Sequence, residues 1–306
     1  MFGLPKIHSR PFDAKFVFNS SSRTDYATLK VSMIGMAMAF LAAALPNAVV
    51  LRPVVNMYSQ PSEDADVVSQ AIYGSDAAVV EQRGGWARIR TADEYSGWTS
   101  LAALKIGPPY AAAGQVATVT SLFAHIYREP DVTAHAPILT VPFETRLEIA
   151  SGERERWHQV RLADGRLGFV QAGDVTFDST PISTAEMLAL SRRFLGLPYT
   201  WGGTSSFGYD CSGFVQMLER RHGVMLPRDA GPQADSSSLK PASRSDLEPG
   251  DLLYFSASPQ RITHTGMYLG GGQFISATTY QTPMVRIDSL ENPHWSRLLV
   301  AMRRVK

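Results

Sequence analysis

Between residues 49 and 178 one pattern occurs twice, and that repetition limits the folds open to this stretch more than any single motif does. Asn56-Met57-Tyr58-Ser59-Gln60-Pro61, Gly85-Trp86-Ala87-Arg88-Ile89-Arg90 and Ser96-Gly97-Trp98-Thr99 form the first copy. His125-Ile126-Tyr127-Arg128-Glu129-Pro130, Arg156-Trp157-His158-Gln159-Val160-Arg161 and Leu167-Gly168-Phe169-Val170 form the second. Each copy has a Pro-containing turn, a Trp that opens a strand alternating with period two, and a Gly–aromatic pair that opens another. A repeat of about sixty to seventy residues is too long for a solenoid unit and suits a small barrel.

The layout resembles bacterial SH3-like domains in tandem, which gives expected domains at 49–107 and 113–178. The second copy reads as a spacer. In the first, the loop Ala92-Asp93-Glu94-Tyr95 gathers two acids and a phenol at an exposed strand end, a place where loops bind ligands. A solvated turn is the alternative reading of that loop.

Ahead of the repeats, residues 31–45 form an apolar run preceded by Lys30 and stopped by Pro46. At 1.5 Å per residue the run is shorter than the roughly 30 Å hydrocarbon layer, so it does not read as a stable membrane span. It suits the hydrophobic region of a signal peptide, with Ala42-Ala43-Ala44 as small residues for cleavage. Residues 1–48 are therefore expected to be a leader and the protein exported, to the periplasm or cell envelope. A start at Met33, a retained segment that would be the only tie to a membrane, and a buried helix are the other readings. If the leader is not a working signal, the location is cytoplasmic.

The chain carries a formal charge of +1 and one cysteine. The first value gives no basic field for nucleic acid; the second excludes a disulfide framework and a thiolate metal site. No metal and no cofactor are expected.

From residue 183 helical periodicity begins. Met187, Leu190, Phe194 and Leu195 recur on one face behind Ser183, a cap residue. Farther on, Phe214, Val215, Met217 and Leu218 share a face, which puts Cys211 at that helix's first turn. Free backbone N–H groups there favour a thiolate, so a lowered thiol pKa is expected. Of seven histidines, His264 stands out, with His294 as runner-up. It lies on an alternating strand with Gly266 and Tyr268 on its face, and Gly266 is expected to leave that face open. Gly270-Gly271-Gly272 reads as a hairpin turn rather than a phosphate loop. Across that hairpin, Ser276 or Thr278 falls beside His264.

Five motifs then resemble, in order, those of NlpC-type cysteine peptidases. They are Pro198-Tyr199-Thr200-Trp201-Gly202-Gly203, Asp210-Cys211-Ser212-Gly213-Phe214, Leu226-Pro227-Arg228-Asp229, Pro249-Gly250-Asp251-Leu252 and His264-Thr265-Gly266-Met267-Tyr268-Leu269-Gly270. The resemblance implies a papain-like α+β catalytic domain over 183–306 behind two small all-β SH3-like barrels. It implies peptidoglycan stem peptides as substrates, cut at the γ-D-glutamyl–L-diamino acid bond. Cys211 would be the nucleophile, His264 the acid–base and Tyr199 a hydroxyl near the oxyanion, with Asp210, Ser212 and Asp229 lining the substrate site. The first SH3-like domain would close one end of the groove and demand a free L-alanine amine, with Tyr95 making the contact and Asp210 pairing the ammonium. A D,L-endopeptidase on intact wall, or a catalytically weak wall-binding protein, are the alternatives. The chain departs from the family pattern at two positions. Ser276 stands where the third catalytic residue is usually His, Asn or Gln, and Ala230 stands where a serine often follows Asp229.

Overall fold

The computed structural model describes residues 46–154, 156–258 and 261–306. The leader expected over 1–48 lies, apart from its last three residues, outside the described residues. Among the described residues no helix is long and apolar enough to cross a membrane.

The first repeat folds as β1 (Asn47–Val50), β2 (Val54–Tyr58), β3 (Val67–Ile72), β4 (Asp76–Arg83), β5 (Trp86–Arg90), β6 (Ser96–Ser100) and β7 (Leu104–Ile106). The second gives β8 (Val116–Val119), β9 (Phe123–Tyr127), β10 (Leu139–Pro142), β11 (Arg146–Arg154), β12 (Trp157–Arg161), β13 (Leu167–Gln171) and β14 (Val175–Thr176). Both are seven-stranded antiparallel sheets with equivalent strand orders, β3-β2-β6-β5-β4-β1-β7 and β10-β9-β13-β12-β11-β8-β14.

The repeated residues explain the repeated topology. Ala87 and Ile89 on β5 point into one core, and Val160 on β12 points into another. Tyr58 meets Trp86 edge-on at 5.7 Å, and Tyr127 meets Trp157 in the same way at 5.6 Å. The glycine of each Gly–aromatic pair is needed for close strand approach: a Cβ at Gly97 would lie 2.8 Å from Met57 Cβ, and one at Gly168 would lie 2.6 Å from Ile126 Cγ2. The two sheets are tied by Tyr110 Oη, which donates to the Arg161 carbonyl at 2.6 Å, and by Ala163 N–H, which donates to Tyr73 Oη at 2.7 Å.

The remaining chain is α+β. Helix α1 (Thr184–Arg192) is capped by Ser183, as the sequence predicts, in a capping box with Glu186; it ends before Phe194 and Leu195, which the sequence pattern places on its face. A two-residue pair, β15 (Thr204–Ser205) and β16 (Gly208–Tyr209), leads into α2 (Cys211–Arg221), followed by α3 (Ala230–Ala234). A six-stranded sheet is built from β17 (Leu239–Pro241), β18 (Leu252–Phe255), β19 (His264–Gly270), β20 (Gln273–Thr278), β21 (Met284–Ser289) and β22 (Leu299–Val305), with α4 (Pro293–Leu298) before the last strand. Its order is β17-β22-β18-β19-β20-β21. Helix α2 lies across β19 and β20, with Phe214, Val215 and Leu218 in one core with Met267 and Ile275. A second cluster holds Phe255, Phe274 and Trp295.

One residue of α2 breaks the apolar pattern. Glu219 is fully buried, neither carboxylate oxygen has a hydrogen-bond partner, and burial pushes its pKa up to about 8. The unfolded value is near 4.5, so the stability linked to this group is complete below that pH and is lost as pH rises through 8. Glu219→Gln should therefore melt roughly 5 °C above wild type at pH 9 and match it at pH 5. Parallel melting-temperature profiles for the two proteins would contradict this account.

Candidate active site

The site forms where α2 starts. Asp210 caps the helix, its Oδ1 accepting from Gly213 N–H at 2.7 Å. Gly203 and Gly213 press together so closely that no Cβ fits at Gly213, which locks the Gly-rich turn against the first helical turn. Cys211 follows the cap and is buried. Backbone N–H groups of Thr265 and Ser212 lie near enough to its sulfur to favour the thiolate. Thr265 follows His264 on β19, so the strand that carries the imidazole runs past the thiol.

The expected depression of the thiol pKa does not occur. Burial pushes Cys211 up to about 12, and the Asp210 carboxylate adds to that rise; the amide donors and Arg228 oppose it without prevailing. A helix start favours a thiolate only while water also reaches it, and this sulfur is largely dry. Burial likewise pushes His264 down to about 3, with a smaller effect from His294. Both shifts favour the neutral form of the group at rest.

His264 stacks on Trp295 at 4.9 Å and lies against Phe255 at 5.6 Å. Its Nε2 is 3.1 Å from Ser276 Oγ, a fully buried hydroxyl. Of the two hydroxyls expected near the ring, Thr278 instead accepts from Tyr280 N–H at 3.0 Å. The open face expected at Gly266 is absent. A Cβ there would lie 2.9 Å from the Ile275 carbonyl and 3.0 Å from Ser276 Cβ, so the glycine serves strand packing and clears the line between His264 and Ser276. His294, the runner-up, stacks on Tyr280 at 4.1 Å.

A cleft of about 680 Å³ brings together Tyr95, Tyr199, Asp210, Cys211, Ser212 and Asp229. Trp201, 70% exposed, also lines it. Burial, then the neighbouring Cys211 and Asp210, raises the Tyr199 phenol, which stays protonated as a donor. Tyr95 reaches in from the first sheet, and its hydroxyl donates to Asp229 Oδ2 at 3.1 Å. Burial and that carboxylate raise its pKa to about 12.

Arg228 alters the expected charge assignment. Its guanidinium is buried and grips Asp210 through both oxygens, Nη1 to Oδ1 at 3.0 Å and Nη2 to Oδ2 at 2.5 Å. Nη1 also donates to Ser212 Oγ at 2.9 Å, and Nε to Ser69 Oγ of the first sheet at 3.0 Å. Asp210, expected to pair with a substrate ammonium, is thus already neutralised. Asp229, exposed and held by one phenol, faces the cleft with no salt bridge among the described residues, as does Asp66 on the first sheet's side. Sequence reasoning quoted the motif containing Arg228 without giving the residue a role; an arginine beside the site acids was the available signal. It also missed Trp295, and nothing local marked that residue as the ring supporting His264.

A buried thiol at a helix start, near a strand that carries an imidazole and beside a cleft lined also by the first sheet, is the arrangement of a cysteine peptidase. Residues 196–304 match the NlpC/P60 family model, and residues 57–104 match that of the bacterial dipeptidyl-peptidase SH3 domain. The chain belongs to the NlpC/P60 family. It is 30% identical over 253 residues to a gamma-D-glutamyl-L-lysine dipeptidyl-peptidase of Bacillus cereus, covering 77% of this chain and 74% of the relative. It is 30% identical to the protein of the same name from Bacillus subtilis, covering 79% and 82%. In fold it resembles the crystal structure of an NlpC/P60 family protein from Bacillus cereus, with TM-score 0.74, 24% identity, and coverage of 85% of this chain and 99% of that one.

Proposed function

We propose that this protein hydrolyses the γ-D-glutamyl–L-diamino acid amide of peptidoglycan stem peptides that carry a free N-terminal L-alanine. The observation that carries this reading is the cleft itself: Cys211 shares it with Tyr95 and Asp229, a phenol and a carboxylate from different domains bonded to each other. A phenol–carboxylate pair at a closed groove end suits an ammonium, and an N-acylated stem would bury Asp229 against a neutral amide.

Cys211 is the nucleophile. As its sulfur attacks the γ-carbonyl carbon of D-glutamate, its proton passes to Nδ1 of His264, whose Nε2 is engaged by Ser276. This order suits a pair that starts neutral. Backbone N–H groups at the start of α2 and the Tyr199 hydroxyl stabilise the oxyanion, each donor being worth roughly 3–4 kcal/mol in hydrolases of this kind. His264 then protonates the leaving amine as the C–N bond breaks. Water, deprotonated by His264, cleaves the thioester and releases L-Ala-γ-D-Glu. Asp210 and Ser212, held by Arg228, shape the floor of the cleft.

The identical strand order and the matching Tyr–Trp pairs support a second SH3-like barrel in the second sheet. Domain limits of 49–107, 113–178 and 183–306 fit that reading, as does an exported enzyme of the cell envelope. The test compares L-Ala-γ-D-Glu-L-Lys with its N-acetyl form: the free amine should be favoured in kcat/KM by about a hundredfold or more. Equal cleavage would remove the gate and favour an open-groove D,L-endopeptidase.

A further inference from the structure

Asp93 is seven positions from the start of β5 and two from Tyr95, on a loop whose shape it fixes. Its Oδ1 accepts from Thr91 Oγ1 at 2.6 Å and from Tyr95 N–H at 3.4 Å. Glu94, between them, adopts φ +62°, a conformation an L-residue holds only when its surroundings require it. The other oxygen, Oδ2, leaves the domain and accepts from Nε2 of Gln216 on α2 at 2.9 Å. Gln216 is 2% exposed, and the same nitrogen also donates to the Leu226 carbonyl at 2.9 Å. Leu226 opens the segment that runs through Arg228 to Asp229. One amide nitrogen therefore grips the loop bearing Tyr95 and the segment bearing Asp229, and the far ends of both meet at the Tyr95–Asp229 hydrogen bond. The contacts close a ring: Gln216 to Asp93, along to Tyr95, across to Asp229, and back through Leu226 to Gln216.

We infer that Gln216 and Asp93 are positioning residues that set the Tyr95–Asp229 pair over the cleft, and so determine selectivity for a free amino terminus. This rests on the function proposed above. Neither residue lines the cleft. An amide with both N–H groups committed has no freedom to rotate, so it transmits the placement of one segment to the other. Asp93 and Gln216 also line a separate cavity of about 470 Å³, where solvent can satisfy Gln216 once Asp93 is gone. Asp93→Ala therefore folds, whereas Gln216→Met, which loses both donors inside the helix packing, is the severer change.

The experiment measures kcat and KM for L-Ala-γ-D-Glu-L-Lys and its N-acetyl form with wild type, Asp93→Ala, Asp93→Asn and Gln216→Met, alongside melting temperatures. Asp93→Ala and Gln216→Met should each lower the free-amine to N-acetyl ratio of kcat/KM about tenfold, mostly through a higher KM for the free-amine peptide. Asp93→Asn keeps an acceptor for Gln216 but turns a donor toward Tyr95 N–H, so its ratio should fall between those of wild type and Asp93→Ala. A wild-type ratio in Asp93→Ala overturns the inference, as does an equal loss on both substrates through kcat, the mark of a merely structural role. Wild type that fails to discriminate at all overturns the functional reading instead, so the two failures are distinguishable.

Discussion

Cys211→Ala and His264→Ala should each lower kcat/KM on L-Ala-γ-D-Glu-L-Lys by at least about a thousandfold, and the double variant should fall little further. The sulfur forms the bond that breaks the amide, and the imidazole takes and returns every proton, so either loss stops the same step. Non-additivity is the sharper part of the expectation: two groups acting as one unit cannot be lost twice. Ser276→Ala should cost less, about ten- to hundredfold, because it removes the partner of Nε2 while Trp295 still supports the ring by stacking. Kinetics on the purified variants, with melting temperatures beside them, check this set. A fully active Cys211→Ala protein would end the peptidase mechanism.

Arg228→Met should be the most destabilising single change near the site. It strands Asp210 in a buried position, and breaking one side of a buried ion pair costs about 3–5 kcal/mol. The same change cuts the tie to Ser69 and so loosens the first sheet from the catalytic domain. For a chain of this size the melting temperature should fall by roughly 10 °C or more. Arg228→Lys should recover little, since one ammonium cannot reach Ser69 Oγ, Ser212 Oγ and both Asp210 oxygens. Adding Asp210→Asn to Arg228→Met should return part of the loss by removing the stranded charge. A single Arg228→Met variant that melts within about 2 °C of wild type would show that the pair contributes almost nothing.

Much of the scaffold was legible from neighbouring residues. The cap at Ser183, the start of α2 at Cys211 and the hairpin behind His264 each depend on contacts within a few positions, and local patterns record such contacts. The paired sheets were legible for a related reason: Gly97 and Gly168 occupy equivalent tight spots, so the same constraint wrote the same residue twice. Ser276 could be placed beside His264 because a short turn fixes the register across it.

The charges of the site could not be read that way. Which site acids are left without an ion pair depends on Arg228, which also bonds Ser69, 159 positions away. The anchor of the Tyr95 loop is an amide 123 positions beyond Asp93. The thiol shifts opposite to the helix-start expectation, and the imidazole is pushed down, because packing keeps water from both, a property of the assembled surface and of no segment in it. Sequence alone determined which groups can do chemistry and which strands and helices carry them, since spacing along the chain sets those. Folding alone decided which groups are neutral, which are paired and which face the cleft, because solvation and long-range contact exist only once distant segments meet.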